Sequence, residues 1–232
     1  MPHHSNSPLN PTDAKTTGAL YLAIAVCGGF SIGYVPTQIG ASDGATSVAN
    51  LMSNAGLFRL GVLADSAVIL MEIAISVLLY QMFQATSPRL AMIALMSRFG
   101  MVVVMGINLL IWVMPMMIAT SAENHGTEAI AQTLFRAHDV GIYIWQLFFG
   151  VHLLALGGMI LRTDHVPRIL GWGLFAGAFG YLLQGLVELT FTDVTVLDWS
   201  IVALLITVTF SELGFGVWLL ISGRRNVLRY SQ

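Results

Sequence analysis

Residues 57–83 read LFRLGVLADSAVILMEIAISVLLYQMF, and residues 90–118 read LAMIALMSRFGMVVVMGINLLIWVMPMMI. Each run exceeds the roughly 20 apolar residues that a helix needs to cross a bilayer. Neither shows the ten-residue alternating segments of a transmembrane barrel. Between them, Ala85-Thr86-Ser87-Pro88-Arg89 is short and polar, with Pro88 suited to the first turn of the next helix. The stretch therefore predicts an antiparallel hairpin of two membrane-spanning helices.

Four further segments complete the pattern: Gly18–Val35, Val140–Leu161, Ile169–Phe191 and Trp199–Ser222. Across all 232 residues, 56% are hydrophobic and only 9% charged. A soluble domain carries roughly 25% charged residues, so this chain cannot cover a water-facing surface with ionic groups. A soluble enzyme, a disordered region and a nucleic-acid binder, which needs a basic surplus, are excluded. A lone cysteine, Cys27, provides neither a disulfide framework nor a paired-thiolate zinc site. The expected fold class is all-α, an integral membrane bundle of six transmembrane helices whose general partner is the lipid bilayer.

Orientation follows from the ten cations. Lys15, Arg89, Arg162, Arg168, Arg224, Arg225 and Arg229 fall on one side, Arg59 and Arg136 on the other, and Arg98 lies inside a span. The positive-inside rule then places both termini in the cytoplasm, in a bacterial inner membrane. Asp43, Glu123, Glu128, Asp193 and Asp198 make the outer loops acidic. Residues 1–17 read as a flexible polar tail rather than a cleaved signal, 18–223 as the transmembrane domain and 224–232 as a basic cytoplasmic tail. Val48–Met52 and Glu128–Gln132 have the pattern of short amphipathic helices, either anchors at the outer interface or lids over a cavity. Leu57-Phe58-Arg59 and Leu134-Phe135-Arg136 open the second and fourth spans, each followed at similar spacing by Pro-Arg. Those repeated words fit either a duplicated hairpin or chance combined with the positive-inside rule.

The informative residues are polar groups within the spans. An ionised side chain at mid-bilayer costs roughly 2.5–3.5 kcal/mol on insertion scales, so such groups must be paired, neutralised or in contact with water. By helix rise, Arg98, His152, Glu212 and Glu72 fall at roughly 12–16 Å from the inner boundary, in one layer. Asp65, Asn108, Gln146 and Gln184 form a second layer at roughly 22–27 Å. Asp65 and Glu72 share a face of their helix, as do His138, Trp145 and His152 at seven-residue spacing. Tyr181, Gln184 and Glu188 line one side of the fifth span, where Gly173 and Gly177 permit close packing. The inner layer holds two carboxylates against one fixed cation, with a histidine beside them. That imbalance points to a proton-coupled site or a cationic ligand; a closed salt-bridge network that fixes the bundle is the structural alternative.

Other chemistries find less support. His152 with Glu72 and Glu212 contains metal-ligating types, but Arg98 in the same layer opposes a metal cation, and no other span supplies a histidine to complete a haem site. There is no P-loop, nucleotide fingerprint, H-E-x-x-H or G-x-S-x-G. Ser97 and Ser211 read as packing hydroxyls rather than nucleophiles, and Met114-Pro115-Met116-Met117 as packing rather than a copper site. No cofactor, metal or catalytic set is expected.

The words Leu57-Phe58-Arg59-Leu60-Gly61, Ala64-Asp65, Leu79-Tyr80, Arg98, and Gly106-Ile107-Asn108-Leu109-Leu110 carry a resemblance. Phe148-Phe149-Gly150-Val151-His152-Leu153-Leu154, Val166-Pro167-Arg168-Ile169-Leu170-Gly171, Glu212 and Trp218-Leu219-Leu220 continue it. In their order and spacing, from Gly18 to about Gly223, the chain resembles a bacterial family named only as domain of unknown function 4386. The resemblance implies a multi-pass membrane architecture and candidate positions, and no reaction. Glu72 stands where the family pattern suggests an aspartate, and His138 is not part of that pattern. The candidate ligand or proton site is thus Asp65, Glu72, Arg98, Asn108, His152, Gln184 and Glu212. Its expected role is to bind or move a small polar or cationic solute. A membrane scaffold or sensor and an intramembrane enzyme acting on lipid are the alternatives.

Overall fold

The computed structural model describes residues 11–40, 43–120, 127–191 and 194–230, and every regular element among them is helical. Helix α1 (Pro11–Gly28) continues through a π-helical turn at Gly29–Tyr34 into α2 (Val35–Ile39). Then come α3 (Gly44–Ser53), α4 (Ala55–Phe83), α5 (Pro88–Ala119), α6 (Thr127–Ile160), α7 (Arg168–Leu189) and α8 (Thr195–Tyr230). Six helical stretches are long and apolar enough to cross a membrane: α1 through α2, and α4 to α8. The protein is a multi-pass membrane protein. Large apolar side chains such as Leu63, Leu70, Ile107, Ile169 and Phe210 are exposed on the bundle's outside, a surface suited to lipid and not to water.

Three boundaries differ from the sequence reading. Helix α1 begins at Pro11, ahead of the apolar run, because Pro11 suits a first helical turn and Asp13 sits favourably at its N-terminal dipole. The preceding residues of the expected tail, and the loop residues Glu123 and Asp193, lie outside the described part. Glu128–Gln132 is not a separate interfacial helix; it forms the opening turns of α6. Its polar period is that of a long helix whose first turns rise beyond the apolar zone. Val48–Met52 does lie in a separate short helix, α3, whose Leu51 is fully buried. Helix α8 runs on to Tyr230, into the segment expected as a tail.

The spans pack in chain order as a closed ring: α1 on α4, α4 on α5, α5 on α6, α6 on α7, α7 on α8, and α8 back on α1. Lipid tails are as apolar as leucine, so close packing rather than hydrophobic burial holds such helices together. Several crossings need glycine, among them the two that α8 makes. A β-carbon at Gly18 would stand 2.5 Å from the Gly216 carbonyl oxygen and 2.8 Å from the Leu220 nitrogen, so α1 and α8 meet backbone to backbone. A β-carbon at Gly177 would stand 2.8 Å from Val208 Cα, and this brings α7 onto α8. At the end away from Arg89, Arg162 and Arg168, Phe58 and Phe135 both pack on Trp112, with ring centroids 5.6 and 5.5 Å away. The two repeated words therefore meet on one indole.

The π-turn follows from Pro36. Its ring lacks an N–H and would collide with the carbonyl four residues back, at Ile32. Widening the preceding turn relieves that collision, and the Val35 N–H accordingly donates to Phe30 O, five residues earlier.

Candidate functional site

Arg98, near the middle of α5, is among the largest fully buried side chains of the protein. Its Nε donates to Glu72 Oε2 of α4, forming a buried ion pair. Its NH1 donates to Tyr21 Oη of α1 at 3.4 Å and to His152 Nε2 of α6 at 2.8 Å. The guanidinium carbon lies 5.4 Å from the ring centroids of both Tyr21 and Phe149. A planar cation in this position is held by ionic, hydrogen-bonded and cation–π contacts at once, which offsets the cost of burying it. Guanidinium can only donate, so His152 Nε2 accepts. The other ring nitrogen, Nδ1, lies 2.9 Å from the Ala94 carbonyl oxygen and must donate. His152 thus stands as a neutral ring that positions Arg98.

Beside this network is a cavity of about 320 Å³ with walls from every spanning helix. A water molecule occupies about 30 Å³ in the liquid, so this space suits a small ligand and is no packing defect. Glu72, Arg98 and Glu212 line it, together with an aromatic wall in which Phe149 and Tyr181 meet edge to face at 5.2 Å. Trp145 extends that wall, 6.2 Å from Phe149 and 6.5 Å from Tyr181. Glu212 has no hydrogen-bond partner among the described residues, whereas Glu72 is committed to Arg98. One carboxylate therefore borders the cavity unpartnered.

A second, much smaller space of about 10 Å³ lies towards the Trp112 end, lined by Asp65, Asn108 and His138. Asp65 Oδ1 and Asn108 Oδ1 are buried there without hydrogen-bond partners among the described residues. His138 Nδ1 lies 3.3 Å from the Asn108 backbone carbonyl and, facing an acceptor, donates to it. Ile32, Met105 and Trp145 line both spaces and so form the partition between them.

The sequence-derived candidates divide accordingly. Glu72, Arg98 and His152 are brought together as one network, and Glu212 joins Glu72 and Arg98 at the cavity. Asp65 and Asn108 share the smaller space, with His138 joining them. Gln184 is half-buried and lines neither, Gln146 is buried with an unpartnered Oε1, and Glu188 is exposed. Among the described residues no cluster of three histidine, cysteine or acidic side chains is placed to hold a metal ion. Sequence reasoning missed Tyr21. Counted from Thr12, where the span begins, it lies at a depth of roughly 14 Å, level with Arg98. The signal was Pro11, which starts the helix early.

A curated protein of Archaeoglobus fulgidus, described as uncharacterized, is 27% identical over 97 residues. The match covers 40% of this chain and 55% of that protein, so the aligned part is little more than half of the relative's length. No solved structure matches the chain. The family model described as "Domain of unknown function (DUF4386)" matches residues 16–223, which hold five spans, most of the first and every residue lining the cavity, and the chain belongs to that family.

Proposed function

We propose that the protein binds, and in the membrane translocates, a small cationic solute at the cavity bordered by Glu212. The supporting observation is the charge count around that space. Arg98 is ion-paired to Glu72, which leaves Glu212 as a carboxylate with no hydrogen bond or ion pair among the described residues, in a region where a charge costs several kcal/mol. A bound cation or a proton would neutralise it, and the aromatic wall of Trp145, Phe149 and Tyr181 supplies ring faces that attract a cation. The distribution of arginines supports an orientation with both termini in the cytoplasm, in a bacterial cytoplasmic membrane.

A structural reading has one observation in its favour: Glu72, Arg98 and His152 satisfy one another. It accounts for those three and leaves Glu212 unexplained. The reading as a lipid-processing enzyme lacks a nucleophile. Ser211 donates to the Thr207 carbonyl, and both nitrogens of His152 are engaged by Arg98 and Ala94.

The test is a thermal-unfolding screen of the purified protein against small ammonium compounds, followed by uptake in proteoliposomes. The wild type should be stabilised by a subset of them, and Glu212→Gln should lose that stabilisation while keeping its own unfolding midpoint. Stabilisation that persists in Glu212→Gln would overturn the reading.

A further inference from the structure

The way into the cavity is sideways. Among its lining residues, Ala25 and Gly29 on one side and Thr209 on the other are exposed on the outer face of the bundle. Below that mouth the ring is sealed where Gly18 meets Gly216. Above it, Ile32, Met105 and Trp145 close the cavity off from the small space around Asp65. Thr209 stands roughly 20 Å along α8 from Ser222 by helix rise, inside a hydrocarbon core about 30 Å thick. A ligand using this mouth therefore arrives through lipid.

The mouth also continues outwards. Thr209 is shared with an apolar groove of about 250 Å³ on the surface of α8, lined by Val202, Leu205, Ile206 and Phe210. A charged, aromatic-walled cavity thus opens at its edge onto an apolar track, matching a molecule with a cationic head and an alkyl chain. On the flank formed by α1, a β-carbon at Gly28 or Gly29 would meet nothing within 4 Å, so the chain keeps this side open without any packing need for glycine.

We propose that the cavity admits an ammonium-headed amphiphile laterally from the bilayer, through the mouth between Gly29 and Thr209, with the head at Glu212 and the chain along the α8 groove. The proposal rests on the cation reading above and adds the ligand's chemistry and its route.

The experiment uses the full chain in phosphatidylglycerol nanodiscs and compares radiolabelled dodecylamine with ethylamine, empty discs serving as the blank. Dodecylamine should bind at least about tenfold more tightly than ethylamine, and Glu212→Gln should weaken it at least about tenfold. Gly29→Trp and Thr209→Trp, each of which narrows the mouth, should weaken dodecylamine at least about fivefold and leave the unfolding midpoint unchanged. Should Glu212→Gln fail to fold, these two variants decide. Equal binding of both amines, dependent on Glu212 and indifferent to the tryptophans, would overturn the lateral route and leave the cation reading standing. If neither amine binds above the blank, both readings fall.

Discussion

Arg98 NH1 stands 2.8 Å from His152 Nε2, and this contact defines what the imidazole does. A ring that must accept on one nitrogen and donate to Ala94 O on the other is confined to a single neutral tautomer. It serves as a strut for the guanidinium. Replacing it by alanine strands a buried N–H of Arg98 and leaves a void. The expected destabilisation is about 2–4 kcal/mol. His152→Gln, whose amide both accepts and donates, should recover at least half of that. Unfolding midpoints in detergent check both values.

The Glu72–Arg98 pair should behave non-additively. Removing one partner leaves a buried charge uncompensated, so Glu72→Met or Arg98→Met alone should cost about 3–5 kcal/mol. The double variant Glu72→Met with Arg98→Met should lie within about 1 kcal/mol of wild type, because two apolar side chains replace both desolvated ions. A double-mutant cycle on unfolding free energies measures the coupling. A cycle with no coupling would show that the two charges are stabilised separately.

Glycine substitutions should separate by position. Gly18→Val drives a side chain into the Gly216 and Leu220 backbone and should destabilise by about 1–3 kcal/mol or prevent assembly. Gly28→Ala meets open space in a right-handed helical conformation, with φ −68°. It should stabilise by roughly 0.5–1 kcal/mol. Thermal unfolding of the two variants beside wild type gives the comparison.

Asp43 caps α3 by accepting from the Thr46 N–H at 2.8 Å. That hydrogen bond, supported by the Ala45 N–H, holds its carboxyl below the usual carboxylate range. A depressed folded value means the cap's contribution is fully present above the unfolded carboxylate value and is lost as the pH falls through the folded one. Protection of the Thr46 amide, measured against its intrinsic exchange rate at each pH, should therefore be high at neutral pH and fall under acid, whereas in Asp43→Ala it should be low throughout. Identical profiles for the two proteins would remove the cap's role.

The sequence carried the spans and the inner charged layer because each obeys a simple metric. Hydropathy over about 20 residues finds a span, and 1.5 Å per residue sets depth, so Glu72, Arg98, His152 and Glu212 fall together before any packing is known. Depth carries no rotation or neighbour list. Gln184 shares a layer with Asp65 and Asn108 but lines neither space, since layer membership does not say which way a side chain faces. Tyr21 was hidden for another reason: hydropathy sees an apolar run, and α1 begins before its run does. The π-turn at Gly29–Tyr34 arises from Pro36 acting on its neighbours, a backbone effect with no periodic signature.

The ring of helices closes where α1 meets α8, and this orders how the protein comes into being. During synthesis α4 and α5 emerge as neighbours, and Glu72 and Arg98 can enter the bilayer as a neutral couple. Tyr21 can join that couple through Arg98 once α5 is in place, but its other flank stays uncovered until α8 emerges much later and Gly216 docks on Gly18. Glu212 arrives with that same helix, so the carboxylate left without a partner is also the last of the charged groups to be enclosed. A nascent chain interrupted before α8 would hold the guanidinium network and lack the wall that makes a chamber of it.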